Sequence, residues 1–463
     1  MRKNTYSLLP LKSPLINIYT ITLLLFAQLS FGQTDLNTLL DLAERNYPTI
    51  AAKQAQAEAA KINEALEKNT LLPSLDLAYQ ANYATYNNIT GMNYPASLIP
   101  ISGPPSADND FSGVFGSAAS VLLKWSPFTF GQRELRMEYY QKLYEQQLAG
   151  VEDEKLRIRF QVALQYLDIM ATQELIQVYE KNIERNETNL KQVSTLINSG
   201  IRPAVDSLQF QGVLSQSRSA LYQLQHLLRS QRFSLIELIA SEIGDTIFIN
   251  NPVFQRLPLA LPVTDSIQHP ALQVAQINVD ANRVRLDQIQ RSWQPKVDIW
   301  STIYARGSGV DFSGERDAAD GLAFSRFNYG LGFQFAFPLL EKSNIRLKTQ
   351  QQTAVLLSAE KGLEQTQLYL QKQQNIAQSN LFAALQIARE IPTEYTASEA
   401  AYNALQTRYR TGLIDYSNLI QAQYDLLNAE VRLKNAHLSA WKALLQLAII
   451  RGDLTLFLNQ LNN

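Results

Sequence analysis

The chain has 463 residues, 46% hydrophobic and 18% charged, with a formal net charge of −1, so nothing in its electrostatics favours a nucleic-acid partner. It contains no cysteine, which removes disulfides, thiolate metal sites and cysteine nucleophiles together. His226, His269 and His437 fall in no metal-ligand spacing, so the sequence offers neither a metal site nor a catalytic histidine.

The first 32 residues read as a secretory signal peptide. Arg2, Lys3 and Lys12 supply positive charge, Ile16 to Ala27 form the apolar run, and Ser30-Phe31-Gly32 sets small residues before a cut at Gln33. The run is shorter than the ~20 residues a spanning helix needs. Cleavage removes three of the 41 basic residues and leaves 38 against 42 acidic ones. No later stretch is apolar enough for a transmembrane helix, and an exported chain of this kind enters an outer membrane only as a barrel.

From Thr34 to Thr70 the sequence is helical and rich in alanine, with a break at Asn46-Tyr47-Pro48. After Pro73 the apolar residues Leu75, Leu77, Tyr79, Ala81 and Tyr83 alternate with Asp76, Ala78, Gln80 and Asn82. This predicts a strand near 75–86. Residues 89–112 are rich in Asn, Pro, Ser and Gly and read as a loop. A second strand near 113–125 sets Phe115, Ala119, Val121, Leu123 and Trp125 on one face, and Pro127 closes it.

The same order then recurs. Pro270 answers Pro48 and Pro295 answers Pro73, with 25 positions between the prolines each time. A third strand near 296–306 carries Val297, Ile299 and Ile303 outward. A Gly/Asp-rich loop leads to the fourth, near 324–337. There Phe327, Tyr329, Leu331, Phe333, Phe335 and Phe337 fall on one face, against Asn328, Gly330, Gly332, Gln334 and Ala336 on the other. Strict alternation beside long helical sequence predicts a transmembrane β-barrel segment, lipid on one side and lumen on the other. Trp125, Trp293 and Trp300 lie in or beside strands, as interfacial anchors do.

Each hairpin is followed by a very long helical pattern, about Gln132 to Ser199 and Lys342 to Thr411, interrupted in the second case only at Pro392. At 1.5 Å per residue each extends about 100 Å. Both end at a glycine, Gly200 and Gly412, and a helix returns from each. In the second return Leu419, Ala422, Leu426, Ala429, Leu433, Ala436, Ala440 and Ala443 keep the 3-4 spacing of a coiled coil. Phe210, Leu214, Ser217, Leu221, Leu224 and Leu228 form a looser version in the first.

The doubled order of helix, proline, strand, loop, strand, long helix, glycine and helix resembles the outer-membrane efflux protein family, the TolC-type channels. The resemblance covers the mature chain. It divides it into a first repeat at 33–250, a linker at 251–264 and a second repeat at 265–463. It implies an α+β membrane protein with an internal two-fold sequence repeat. Three chains would build one twelve-stranded transmembrane β-barrel and a long α-helical coiled-coil periplasmic tunnel in the outer membrane of a Gram-negative bacterium. The residues themselves require partners of this kind, since four strands cannot close a barrel.

The resemblance also implies a passive exit duct of a tripartite efflux or type I secretion system. Its partners would be a homotrimer, a periplasmic adaptor protein, an inner-membrane pump of RND or ABC type and outer-membrane lipid. The docking tips would be the turns at Gly200-Ile201-Arg202 and Gly412-Leu413-Ile414, where an exposed Ile or Leu beside a capping glycine makes a small apolar knob. By the same resemblance Asn418 and Gln421 line the periplasmic gate; both are neutral, a departure from the acids that often ring it. Tyr409 matches a tyrosine that latches the closed state in some members, and Asp206 and Asp415 are the nearby acids.

No constellation of catalytic residues is present. Gly307-Ser308-Gly309 sits between strands, the wrong context for a nucleotide loop, and no cofactor is implied. A secreted or surface coiled-coil structural protein or adhesin is the alternative, but it leaves two matched hairpins unexplained.

Overall fold

Proline and glycine divide the chain where the sequence places them. The computed structural model describes residues 35–88, 105–241, 249, 256–260 and 267–462. The signal peptide at 1–32, most of the 251–264 linker and the loop stretch 89–104 lie outside the described residues. Helix α1 (Leu36–Asn46) stops at Tyr47, whose extended backbone accommodates Pro48 at the start of α2 (Pro48–Asn69). Strands β1 (Ser74–Ala84) and β2 (Val114–Phe128) follow, then α3 (Gln132–Asn198) and α4 (Ala204–Ile239). The order continues with α5 (Pro270–Gln290), β3 (Lys296–Ser308), β4 (Arg326–Ala336), α6 (Lys342–Arg410), α7 (Tyr416–Arg451) and α8 (Thr455–Asn462).

Two sequence expectations need adjustment. Pro392 does not interrupt α6, which runs through it unbroken. A 69-residue helix packed on neighbours absorbs the one lost hydrogen bond, and the ring need not end it. Pro127 likewise does not end β2; a register shift between Trp125 and Phe128 accommodates it, and Phe128 still pairs with Val297.

The four strands form one antiparallel sheet in the order β1-β2-β3-β4, so β1 and β4 are both edges. The register puts the expected outward residues within the four strands on one face. Tyr79 pairs with Ala119, Val121 with Ile303, Ile303 with Tyr329, and Ile299 with Phe333. Directly opposed residues share a face, so the apolar side chains of four strands form one continuous surface. That surface is bare within the protomer: Leu77, Tyr329, Leu331 and Phe333 are each more than three-quarters exposed.

Trp300 departs from its expected anchoring role. It pairs with Gly332 and lies on the opposite face from Ile299 and Phe333. A Cβ at Gly332 would stand 2.7 Å from the indole and one at Gly330 3.0 Å, so the two glycines make room for the ring across β4. Trp125 is on the apolar face, paired with Ile299, and its indole N–H donates 2.8 Å to the Leu71 carbonyl.

The chain resolves into two compact units. One gathers Met1–Ala52, Asp153–His269 and Leu370–Asn463, the other Lys53–Glu152 and Pro270–Tyr369. The first holds the main core, where Leu36, Ile158, Tyr166, Leu235, Trp441, Leu444 and Phe457 are fully buried. Within it, seven of the eight coiled-coil positions of α7 are buried, Leu433 being the partial exception. Alanines at alternate positions let the neighbouring helix approach closely. The second unit holds the sheet and the helix ends that join it. Among the described residues no helix is long and apolar enough to cross a membrane.

Candidate functional site: the helix tips and the bundle behind them

Both tip glycines adopt left-handed backbone, with φ of +72° at Gly200 and +77° at Gly412. An L side chain there would be strained, so glycine ends the helix at each tip. Their neighbours donate the backbone bonds that close each helix end: Ile201 N–H to Leu196 O and Leu413 N–H to Arg408 O, each at 2.9 Å. Ile201 is 61% exposed and Leu413 69%. Both side chains stand exposed beside the capping glycines.

Arg202 and Ile414 are engaged inside the protomer instead. The Arg202 guanidinium donates to the carbonyls of Ile414 at 2.7 Å and Tyr409 at 3.2 Å, and lies 4.4 Å from the centre of the Tyr409 ring. One cation thus ties the first tip to the second through two carbonyls and a ring face. Ile414 packs against the apolar cluster of Val193, Phe210, Tyr402, Tyr409, Leu419, Ala422 and Leu426.

Tyr409 and Asp206 meet within that cluster. The phenol donates 3.0 Å to Asp206 Oδ2, with both residues buried at 3% and 6% exposure. Burial first, then the neighbouring carboxylate, push the Tyr409 phenol well above its ordinary pKa, and burial does the same for Tyr416. Phe210 sits edge-on to Tyr416 at 4.7 Å and to Tyr409 at 6.4 Å. Asp206 is therefore a hydrogen-bond acceptor in the packed tip, not an acid turned to solvent.

Asp415 is exposed at the first residue before α7 and makes no side-chain cap to it. Asn418 and Gln421 are exposed on α7, flanking the buried stripe that carries Leu419 and Ala422. Gln421 Nε2 donates 2.9 Å to Oδ1 of Asp425, an exposed acid one turn further along. Sequence reasoning missed Asp425; its spacing of seven from Asn418, a helical repeat, was the available signal.

Sequence reasoning also missed the polar layer behind the tip. Asn182, Asn186 and Asn189 on α3 are all buried, with Gln423 of α7 against them. Gln423 Nε2 donates to Asn186 Oδ1 at 2.7 Å and to Asn182 Oδ1 at 3.2 Å, while its Oε1 accepts from Asn189 at 3.2 Å. Asn189 also donates 3.0 Å to the Tyr402 hydroxyl on α6, and Asn182 to Ser217 of α4. Four helices are thereby joined by side-chain amides in a bundle interior. Arg185 forks onto both carboxylate oxygens of Glu430 at 2.9 and 2.5 Å; although burial opposes it, that carboxylate holds the guanidinium pKa above its ordinary value. The 4-3 spacing of the three asparagines was visible in the sequence, but asparagine on a helix ordinarily faces water. Among the described residues no cluster of His, Cys, Asp and Glu could hold a metal ion.

Residues 39–241 match the outer membrane efflux protein family. Solved structures share the fold. CusC matches with a TM-score of 0.74 at 13% identity, over 90% of this chain and 92% of that one. VceC of Vibrio cholerae matches with 0.73 at 15% identity, over 90% and 96%. The open state of MtrE from Neisseria gonorrhoeae matches with 0.71 at 12% identity, over 90% and 89%. No curated protein matches the sequence. The chain thus has the fold of these solved channels, and residues 39–241 carry the match to the efflux protein family.

Proposed function

We propose that the protein is the passive outer-membrane exit duct of a tripartite efflux or type I secretion system. Three copies each contribute four strands to a twelve-stranded barrel and their helices to a periplasmic tunnel. The observation that carries this reading is the sheet: a largely apolar, largely exposed face and two unpaired edges in one four-stranded piece. In lipid every edge N–H and C=O needs a partner, and bacterial barrels need at least eight strands. A surface coiled-coil protein or adhesin would have no use for that face, and the family match does not favour it.

The halves at 33–250 and 265–463 act as two repeats of the duct wall. The exposed knobs Ile201 and Leu413 meet the helical tip of a periplasmic adaptor, and an inner-membrane pump of RND or ABC type supplies the energy. Three copies of Asn418 and Gln421 line the periplasmic entrance. Asp425 joins them as its acid, while Asp206 stays in the Tyr409 bond and Asp415 flanks the turn. No chemistry is asked of the protein itself.

Light scattering of the purified protein, corrected for detergent, tests assembly: a trimer is expected, and a natively folded monomer overturns the reading. Recording in planar bilayers tests the entrance. Amides at two of the three ring positions leave Asp425 as the ring's acid, so block by a divalent cation added on the periplasmic side is weak in the wild type and strengthens in Asn418→Asp. Unchanged block in Asn418→Asp would place the constriction elsewhere.

A further inference from the structure

Below the ends of β2 and β3, within the second unit, one cavity of about 740 Å³ is lined by five cations: Arg133, Arg136, Arg285, Lys296 and Lys348. No carboxylate lines it. Arg136 is paired with Glu67 at 2.9 Å, but among the described residues no acid stands within ion-pair distance of the other four. Asp298 on β3 accepts from Ser126 Oγ at 2.5 Å and does not line the cavity.

Arg133 gives the cavity a built wall. Its side chain is held by donation to the Ser126 carbonyl at 2.6 Å and the Thr70 carbonyl at 3.4 Å, and the residue is only 4% exposed. Its Nε is buried with no hydrogen-bond partner. A buried guanidinium with an idle donor and no counter-ion is costly unless an anion completes it. The first turn of α3, at Gln132 and Arg133, adds the positive end of a helix dipole on the same side. Thr129 and Gln351 add neutral donors to the lining.

We propose that this cavity binds a phosphate group. Several cations converging with a fork-shaped guanidinium suit a multiply charged tetrahedral anion with several acceptor oxygens. The group arrives either on a free solute or on a phospholipid headgroup. Binding in this cavity does not depend on the duct reading. A protein that binds phosphate but neither trimerises nor conducts overturns only the latter.

The test uses the full chain purified in detergent, titrated with inorganic phosphate and with glycerol phosphate by calorimetry. The same protein in phosphatidylglycerol nanodiscs is compared with phosphatidylcholine nanodiscs by native mass spectrometry. Saturable binding of at least one probe is expected, weakened at least about ten-fold in Arg285→Gln/Lys348→Gln, since each loses a charge-assisted contact. Both residues are exposed, so that variant folds. The control Arg283→Gln/Lys361→Gln removes the same charge from exposed positions outside the cavity and leaves binding unchanged. Binding of the soluble probes identifies a solute site, and retention of phosphatidylglycerol alone a headgroup site. Absence of saturation by every probe, or equal weakening in both double variants, overturns the proposal.

Discussion

The phenol of Tyr409 and the carboxylate of Asp206, 203 positions apart in sequence, share a buried hydrogen bond of 3.0 Å that closes the end of α6 onto the first turn of α4. Tyr409→Phe leaves the carboxylate buried without that donor, costing about 1–3 kcal/mol. The expected result is a lower helical melting temperature and a higher mean conductance in planar bilayers. Because the folded phenol pKa is raised, its stabilising contribution is complete at neutral pH. It is lost only above about pH 10, where the unfolded tyrosine ionises first. A variant that melts and conducts as the wild type does would show that the pair holds nothing closed.

Gln423 is the hub of the buried amide layer. Gln423→Leu strips partners from Asn182, Asn186 and Asn189 at once. The expected loss is about 3 kcal/mol, read as a shift in the urea midpoint, because each stranded amide keeps its desolvation penalty. Replacing all four residues with leucine restores stability, since satisfied polar layers serve register more than strength. A quadruple variant less stable than Gln423→Leu would contradict this.

Leu331 and Gln334 test the two faces of β4. Leu331 is 77% exposed on the apolar face, while Gln334 pairs with Asp298 on the other. Leu331→Arg should cost about 2–4 kcal/mol near mid-membrane, measured by reversible unfolding from lipid vesicles, and Gln334→Arg far less. Equal costs would mean that the apolar face does not meet lipid.

His269 precedes α5 and lies 3.8 Å from Asp153. Burial lowers its pKa, against the opposing pull of that carboxylate. The unfolded chain then takes up the proton first, so stability falls as pH drops below about 6.5, the ordinary histidine value. His269→Gln is expected to flatten that part of the pH–stability curve. A wild-type curve already flat from pH 7 to 5 would refute the assignment.

The sheet and the helix ends were legible because their causes are local. Period-two alternation in 327–337 names its apolar face without reference to any other strand, and Pro48, Gly200, Pro270 and Gly412 act through their own backbone. The 3-4 spacing of α7 likewise marked its buried stripe before any partner was known. What tertiary structure alone decided was which polar residues lose their water. Asn186, Gln423, Asp206 and Arg133 belong to residue types that ordinarily sit at the surface. Each is buried because residues distant in sequence close over it, a non-local event that leaves no periodic mark. The same holds for Trp300, whose residue type suggests an anchor while its pairing with Gly332 turns it to the polar face.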